Sequence, residues 1–243
     1  MKDLNCNSMI KQQISSLDIG FDKIQQVKMI EQIIQSGQVG QEALLSFLVD
    51  RCIIQKHNIE VLDGLIFEFL YFCSIDDIKK SLSSYFPFGL IDLKSSLKLN
   101  YQPLQDLLIN RNFQQADKLT QSYLCSLANL GQKYNRKWLY FTDIFSLPAE
   151  DLYILDKLWR VYSRDKFGFS IQRKIWLSIN CNWEKFWVHI GWNKNGVPLR
   201  YPGEFIWNIN APDGHLPLVN QLRGVQVIAA LFNHNVWSDD EFV

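Results

Sequence analysis

The sequence predicts an all-α protein in two parts, an N-terminal helical bundle followed by a helical core with long loops. Three observations carry this. Apolar residues recur at helical spacing along most of the 243-residue chain. All eight tryptophans lie between Trp138 and Trp237, and five of the seven prolines (Pro148, Pro198, Pro202, Pro212, Pro217) also fall in the second half. Between the halves, Tyr85 to Tyr101 breaks the periodicity with Pro87, Gly89 and a stretch containing serine and lysine. The expected division is a bundle over 1–88, a linker over 89–102 and a core domain over 103–243.

In the first part, Phe21, Ile24, Val27, Ile30, Ile33 and Ile34 mark one helical face, with Gly37 as its stop. Leu44, Leu45, Leu48 and Cys52 give the next stripe, and Leu62, Leu65, Ile66, Phe69, Leu70 and Cys73 a third. Ser74, Asp76 and Asp77 are candidate caps for a fourth helix through Leu82. Short connections favour antiparallel packing, and no fixed repeat period is visible.

The second part restarts with Leu104, Leu107 and Leu108. Asn112, with Gln115 three residues on, suits a capping box ahead of a face made by Ala116, Leu119, Tyr123 and Leu127, ending near Gly131. Ser146, Pro148 and Glu150 start a helix whose face is Leu152, Leu155, Leu158, Trp159 and Tyr162. Ile171, Ile175 and Trp176 fit helix or strand. From Gly191 to Pro217 the chain reads as loop, and a last helix spans roughly Asn220 to Phe232.

Composition excludes several classes. Twenty-five basic residues balance twenty-five acidic ones, so there is no footprint for nucleic acid. No apolar run is long enough to span a bilayer. Five widely spaced cysteines without a CxxC pair read as reduced, mostly core thiols. The start of the chain has neither a signal-peptide nor a transit-peptide pattern.

Catalytic signatures are missing: there is no HExxH, P-loop, GxGxxG or GxSxG. His57, His189, His215 and His234 show no metal-ligand spacing. His215, in a Pro-Asp-Gly-His-Leu-Pro turn, reads foremost as a loop anchor, and His189 as a core histidine. The distinctive feature is the loop 191–217, which carries Trp192, Val197, Leu199, Tyr201, Phe205, Ile206 and Trp207 among turn residues. Large aromatics on a loop either fold back into the core or line a binding surface. Lys194, Arg200, Arg223, Arg136 and Lys137 lie near aromatic segments. They form either a solvated rim or, beside an aromatic wall, a site for a flat apolar molecule bearing carboxylates.

Five ordered blocks point further: 113–120 (Phe-Gln-Gln-Ala-Asp-Lys-Leu-Thr), 152–163, 166–176, Ile190-Gly-Trp192 and Ala211-Pro-Asp-Gly-His-Leu-Pro217. Together, over about 103–235, they resemble the "genomes uncoupled" family of tetrapyrrole-binding regulators of magnesium chelatase. The first hundred residues match no motif, but their position resembles the extra bundle of cyanobacterial and algal members. The resemblance implies an all-helical core shaped like a cupped hand. It implies a protein that is not an enzyme, needs no resident cofactor, binds protoporphyrin IX and Mg-protoporphyrin IX, and stimulates magnesium chelatase through its large porphyrin-binding subunit.

By motif position, the ligand residues it implies are Phe141 on one wall, with Trp192, Leu199, Tyr201, Phe205, Ile206, Trp207 and Leu218 on and beside the loop. Arg223 matches a basic position associated with porphyrin binding, and Arg136, Lys137 and Arg200 are further candidate carboxylate contacts. Where the family carries a second basic residue, three positions after Arg223, this chain has Gln226. A monomer is expected, with peripheral membrane contact left open. The Ile-, Asn-, Lys- and Gln-rich composition suits a plastid-encoded stromal protein, the alternative being a cyanobacterial cytoplasm. The competing function is a protein-interaction or sensor adaptor that has lost porphyrin binding.

Overall fold

The computed structural model describes residues 2–17, 22–93, 97–128, 138–219 and 225–238. It is helical apart from one two-stranded hairpin, and it divides into two compact units, 1–92 and 93–243.

The first unit holds α1 (Lys2–Leu17), α2 (Lys23–Gln35), α3 (Gln38–Val49), a π-turn (Asp50–Ile54), α4 (Val61–Cys73) and α5 (Asp76–Tyr85). Helix α3 is its hub and packs on α1, α2, α4 and α5. The approach of α2 to α3 needs Gly40, because a Cβ there would collide with the backbone carbonyl of Ile33. Leu44, Leu45, Leu48, Leu62, Leu65, Ile66, Phe69 and Leu70 are buried as their spacing predicts. Ile24 and Cys73 are exposed instead, and Phe21 lies outside the described residues. Ser74 closes α4 rather than capping α5. Asp76 and Asp77 sit within the first turn of α5, where carboxylates suit the positive end of a helix dipole.

Arg51 is buried and pairs with Asp63 (Nε to Oδ1, 2.9 Å) and Glu60 (3.2 Å). Burial and the Asp63 carboxylate push the neighbouring Cys52 thiol up to about 12, which leaves it un-ionised and inert. Among the described residues the cysteines are free, and each is half-buried or exposed, not core as the sequence suggested.

The second unit contains α6 (Gln102–Ile109), α7 (Phe113–Leu127), α8 (Phe141–Ile144), α9 (Ala149–Val161), α10 (Phe169–Ser178), α11 (Trp183–His189), the hairpin β1 (Asn193–Lys194) and β2 (Val197–Pro198), α12 (Val225–Phe232) and a 3₁₀ turn (Asn235–Trp237). The stretch 89–102, read as a linker, has buried side chains at both ends: Leu90 and Ile91 in the first unit, Tyr101 in the second. Tyr101 donates its hydroxyl to the buried Asp151 at 2.7 Å, which fixes this entry segment against α9. The predicted face of α9 is wholly buried, with Trp159 stacked on Phe113 at 6.0 Å. The ambiguous segment around Ile171 is helix α10.

Helix α7 departs from expectation. Asn112 caps it without a side-chain hydrogen bond, so the capping box with Gln115 does not form. Its buried face is Phe113, Ala116, Asp117, Thr120, Leu124 and Leu127, and Leu119 and Tyr123 are only half-buried. Two polar residues turn inward because each has a partner. Thr120 accepts the Trp159 indole N–H at 3.0 Å, and Asp117 accepts the Leu218 amide at 2.6 Å. Gly131, the expected end of this helix, lies outside the described residues.

A candidate aromatic binding site

The loop 191–219 is built around His215, which is fully buried. Its Nδ1 donates to the Ile190 carbonyl at 2.7 Å, and its Nε2 accepts the Ile206 amide at 3.1 Å. One neutral tautomer satisfies both bonds and ties the start of the loop, at Ile190, and its middle, at Ile206, to the turn that carries His215. The His215 carbonyl in turn accepts the Trp192 indole N–H at 2.8 Å. Gln172 of α10 donates to the carbonyls of Gly214 and Pro217, each at 2.9 Å. Gly214 itself is obligatory, since its φ is +73° and a Cβ would lie 2.8 Å from Ile175. Asp117 then secures the loop's exit at Leu218.

This frame sorts the aromatics into two layers. Trp192 and Phe205 are buried and face each other edge-on at 6.3 Å. Trp192 stacks on Trp187 at 5.3 Å, which begins a row running through Trp183 to Trp176. Over this backing sit Tyr201, 41% exposed, and the half-buried Trp207, and Ile206 between Phe205 and Trp207 in sequence is also exposed. Trp207 meets Tyr201 edge-on at 5.9 Å and Phe205 at 6.1 Å, and its indole N–H donates to the Pro202 carbonyl at 2.9 Å. Tyr201 and Trp207 are thus held rigidly at the surface, with Arg200 exposed beside them and its amide bonded to Glu204 at 2.7 Å.

The residues implied as ligand contacts therefore separate. Tyr201 and Trp207 share one surface, while Ile206 is exposed and Leu199 half-buried on the same loop. Trp192, Phe205 and Leu218 are buried within the protein and act as its support. Phe141 is exposed on α8, which packs on α12, and makes no ring contact with the loop aromatics among the described residues. Its neighbours Tyr140 and Phe145 are also exposed and were not singled out from sequence; a run of aromatics around a capped single turn was the available signal. Arg136, Lys137 and Arg223 lie outside the described residues, and Gln226 is exposed on α12. His189 is exposed at the end of α11, not a core histidine, because the buried face of that short helix is taken by Phe186. No metal-holding group of His, Cys, Asp and Glu occurs among the described residues. His215 is unavailable to any metal, since both ring nitrogens are engaged.

Two buried groups give the loop opposite pH responses. Desolvation lowers the His215 pKa below 6.5, against a partial rise from the Ile190 hydrogen bond. Stability from this group is therefore present above pH 6.5 and is lost as pH falls through the folded value. Desolvation raises Asp117 from 3.8 to about 7, outweighing the Leu218 amide. Its contribution is complete below pH 3.8 and is lost as pH rises to about 7. Asp117→Asn, which keeps an acceptor for Leu218, should thus gain stability over the parent at pH 8 more than at pH 5. His215→Gln should show a weaker loss between pH 7 and 5 than the parent. Thermal unfolding at these pH values measures both, and parallel curves for variant and parent would refute the assignments.

Comparison with known proteins gives the chain's family. A family model described as GUN4-like matches residues 94–235, and one described as an ARM-like repeat domain, GUN4-N terminal, matches 2–87. The second match is in keeping with the helical reading of the first part and extends it, since the family it belongs to is described as ARM-like although no fixed period is visible in the sequence. A Porphyra purpurea protein designated ycf53 is 46% identical over 214 residues, covering 88% of this chain and 90% of the relative. A chloroplastic tetrapyrrole-binding protein of Arabidopsis thaliana is 36% identical over 143 residues, covering 55% of this chain and 54% of the relative. The solved structure of GUN4 from Chlamydomonas reinhardtii aligns with a TM-score of 0.56 at 36% identity, covering 61% of this chain and 95% of that one.

Proposed function

Since the chain belongs to the GUN4-like family, we propose that it is a non-catalytic porphyrin carrier that binds protoporphyrin IX and Mg-protoporphyrin IX and stimulates magnesium chelatase through the large porphyrin-binding subunit. Its relatives mark a plastid or cyanobacterial origin. Within that origin we place it in the plastid stroma, encoded by the plastid and acting as a monomer.

The observation that carries the reading is the fixed surface of Tyr201 and Trp207 over a buried aromatic backing. One face of a macrocycle laid on it buries on the order of 300 Å², roughly 7 kcal/mol before the costs of association. Because the loop is already ordered by His215, Gln172 and Asp117, little further ordering is needed on binding. Arg200, with Arg223, supplies forked donors for the propionates. The porphyrin is cargo. With both ring nitrogens engaged, His215 would not serve as a ligand to the porphyrin's magnesium.

The test is a tryptophan-fluorescence titration with deuteroporphyrin and its magnesium complex. Saturable quenching with micromolar or tighter affinity is expected. Trp207→Leu and Tyr201→Ala should each weaken it about tenfold, equivalent to about 1.4 kcal/mol, with unfolding midpoints preserved. Phe205→Ala is a poor probe, because it removes the backing. Wild-type affinity in both surface variants would reject this surface as the site. Absence of quenching in the folded parent would favour the adaptor reading. A chelatase assay with and without the protein tests stimulation separately.

A further inference from the structure

Helix α10 has two working faces. Gln172 and Ile175 meet the Gly214–Pro217 turn, as described. On the opposite side, by the 100° step of a helix, Ser170, Arg173, Lys174 and Leu177 line a cavity of about 360 Å³. Arg160 of α9 and Trp237 of the 3₁₀ turn complete its walls, and no residue of the aromatic loop contributes to it.

The charges in this cavity are unevenly committed. Its two carboxylates are already satisfied. Asp156 accepts the Ser170 amide at 2.8 Å and the Ser170 hydroxyl at 2.6 Å, while Asp165 accepts Arg160 Nε at 2.7 Å. The cations of α10 have capacity left. Arg173 spends its Nε on the Phe232 carbonyl at 2.7 Å, which fixes the guanidinium fork without consuming its terminal N–H groups. Lys174 is exposed and makes no ion pair among the described residues. The apolar wall is also set: the Trp237 indole N–H is held by the Leu231 carbonyl at 2.6 Å, and Leu177 is exposed beside the cavity.

We propose that this cavity is a second ligand site, separate from the aromatic loop, for a small organic oxyanion. The phosphate or carboxylate group lies against Arg173 and Lys174, and its flat apolar body lies against Trp237 and Leu177. A concave pocket with an apolar wall and a few convergent charges is the usual form of a small-molecule site, and guanidinium plus ammonium is a donor set matched to oxyanions.

The experiment is a titration of the ¹⁵N-labelled full chain, following the Trp237 indole resonance, with phenyl phosphate and, separately, benzoate. A saturable shift with at least one of them is expected, and whichever binds identifies the anionic group. Lys174→Glu and Arg173→Ala/Lys174→Ala should each cost at least tenfold in affinity. Both should bind deuteroporphyrin like the parent, and Lys174→Glu, an exposed change, guards against misfolding of the double variant. No saturable shift with either probe up to about 10 mM, a limit near 3 kcal/mol of binding, would overturn the proposal. So would an unchanged shift in Lys174→Glu, or displacement of the probe by deuteroporphyrin, which would make the cavity part of the porphyrin site.

Discussion

Trp159→Ala should destabilise the second unit by about 3–5 kcal/mol, as large-to-small changes at fully buried aromatics do. Trp159 has no solvent exposure, stacks on Phe113, meets Phe167 edge-on at 6.3 Å and donates its indole N–H to Thr120. Truncation opens a cavity at the meeting of α7, α9 and the segment before α10, and strips Thr120 of its buried donor. Trp159→Phe keeps most of the packing and loses mainly the hydrogen bond, so it should cost about 1 kcal/mol for that bond plus a part of the packing. Urea unfolding of the two variants separates the contributions. Equal losses would mean that the hydrogen bond, not the volume, dominates.

Arg51→Ala should cost the first unit a comparable 3–5 kcal/mol, because it leaves a buried carboxylate without its counter-charge. Asp63 is almost completely buried. Besides Arg51 it accepts only the Glu60 amide, at 2.8 Å, among the side-chain bonds described for it. Replacing both members of the pair, as in Arg51→Met with Asp63→Leu, should restore much of the loss, since apolar substitution of a whole buried pair is commonly neutral. Chemical denaturation of the single and double variants tests this. A double variant as unstable as Arg51→Ala would show that the pair's geometry, rather than its charge balance, holds α4 to the π-turn.

What the sequence revealed follows the reach of periodicity. The face of α9 is legible because Leu152, Leu155, Leu158, Trp159 and Tyr162 are aliphatic or aromatic, recur at helical spacing and are all buried. Helix α7 is legible only in part: a hydropathy pattern assigns Asp117 and Thr120 to solvent. Only tertiary structure shows that Asp117 meets an amide 101 residues away and that Thr120 meets an indole 39 residues away. The cap at Asn112 fails for a related reason, since residue type permits a capping box but backbone geometry decides it.

The candidate site was legible as a composition and not as an arrangement. An aromatic-rich loop beside arginines could be read directly. A loop has no period to tell inward from outward, so Trp192 and Phe205 could not be distinguished as backing from Tyr201 and Trp207 as surface. The anchoring role of His215 was the simpler reading of its turn, and its two hydrogen bonds bear that out. The cavity on α10 left no trace in the sequence, because its walls come from three elements whose charges look like ordinary solvated faces.

The row of indoles from Trp176 through Trp183 and Trp187 to Trp192, with neighbouring rings 5.1–5.5 Å apart, makes these chromophores optically inseparable. Excitation absorbed by one migrates to the next, so emission from this unit is depolarised even though every ring is held in place. An acceptor seated at Trp207 would drain the row through space from its Trp192 end, the intervening Phe205 ring taking no part because its excited state lies above that of indole, so a single-tryptophan view of this protein's spectrum has no physical counterpart.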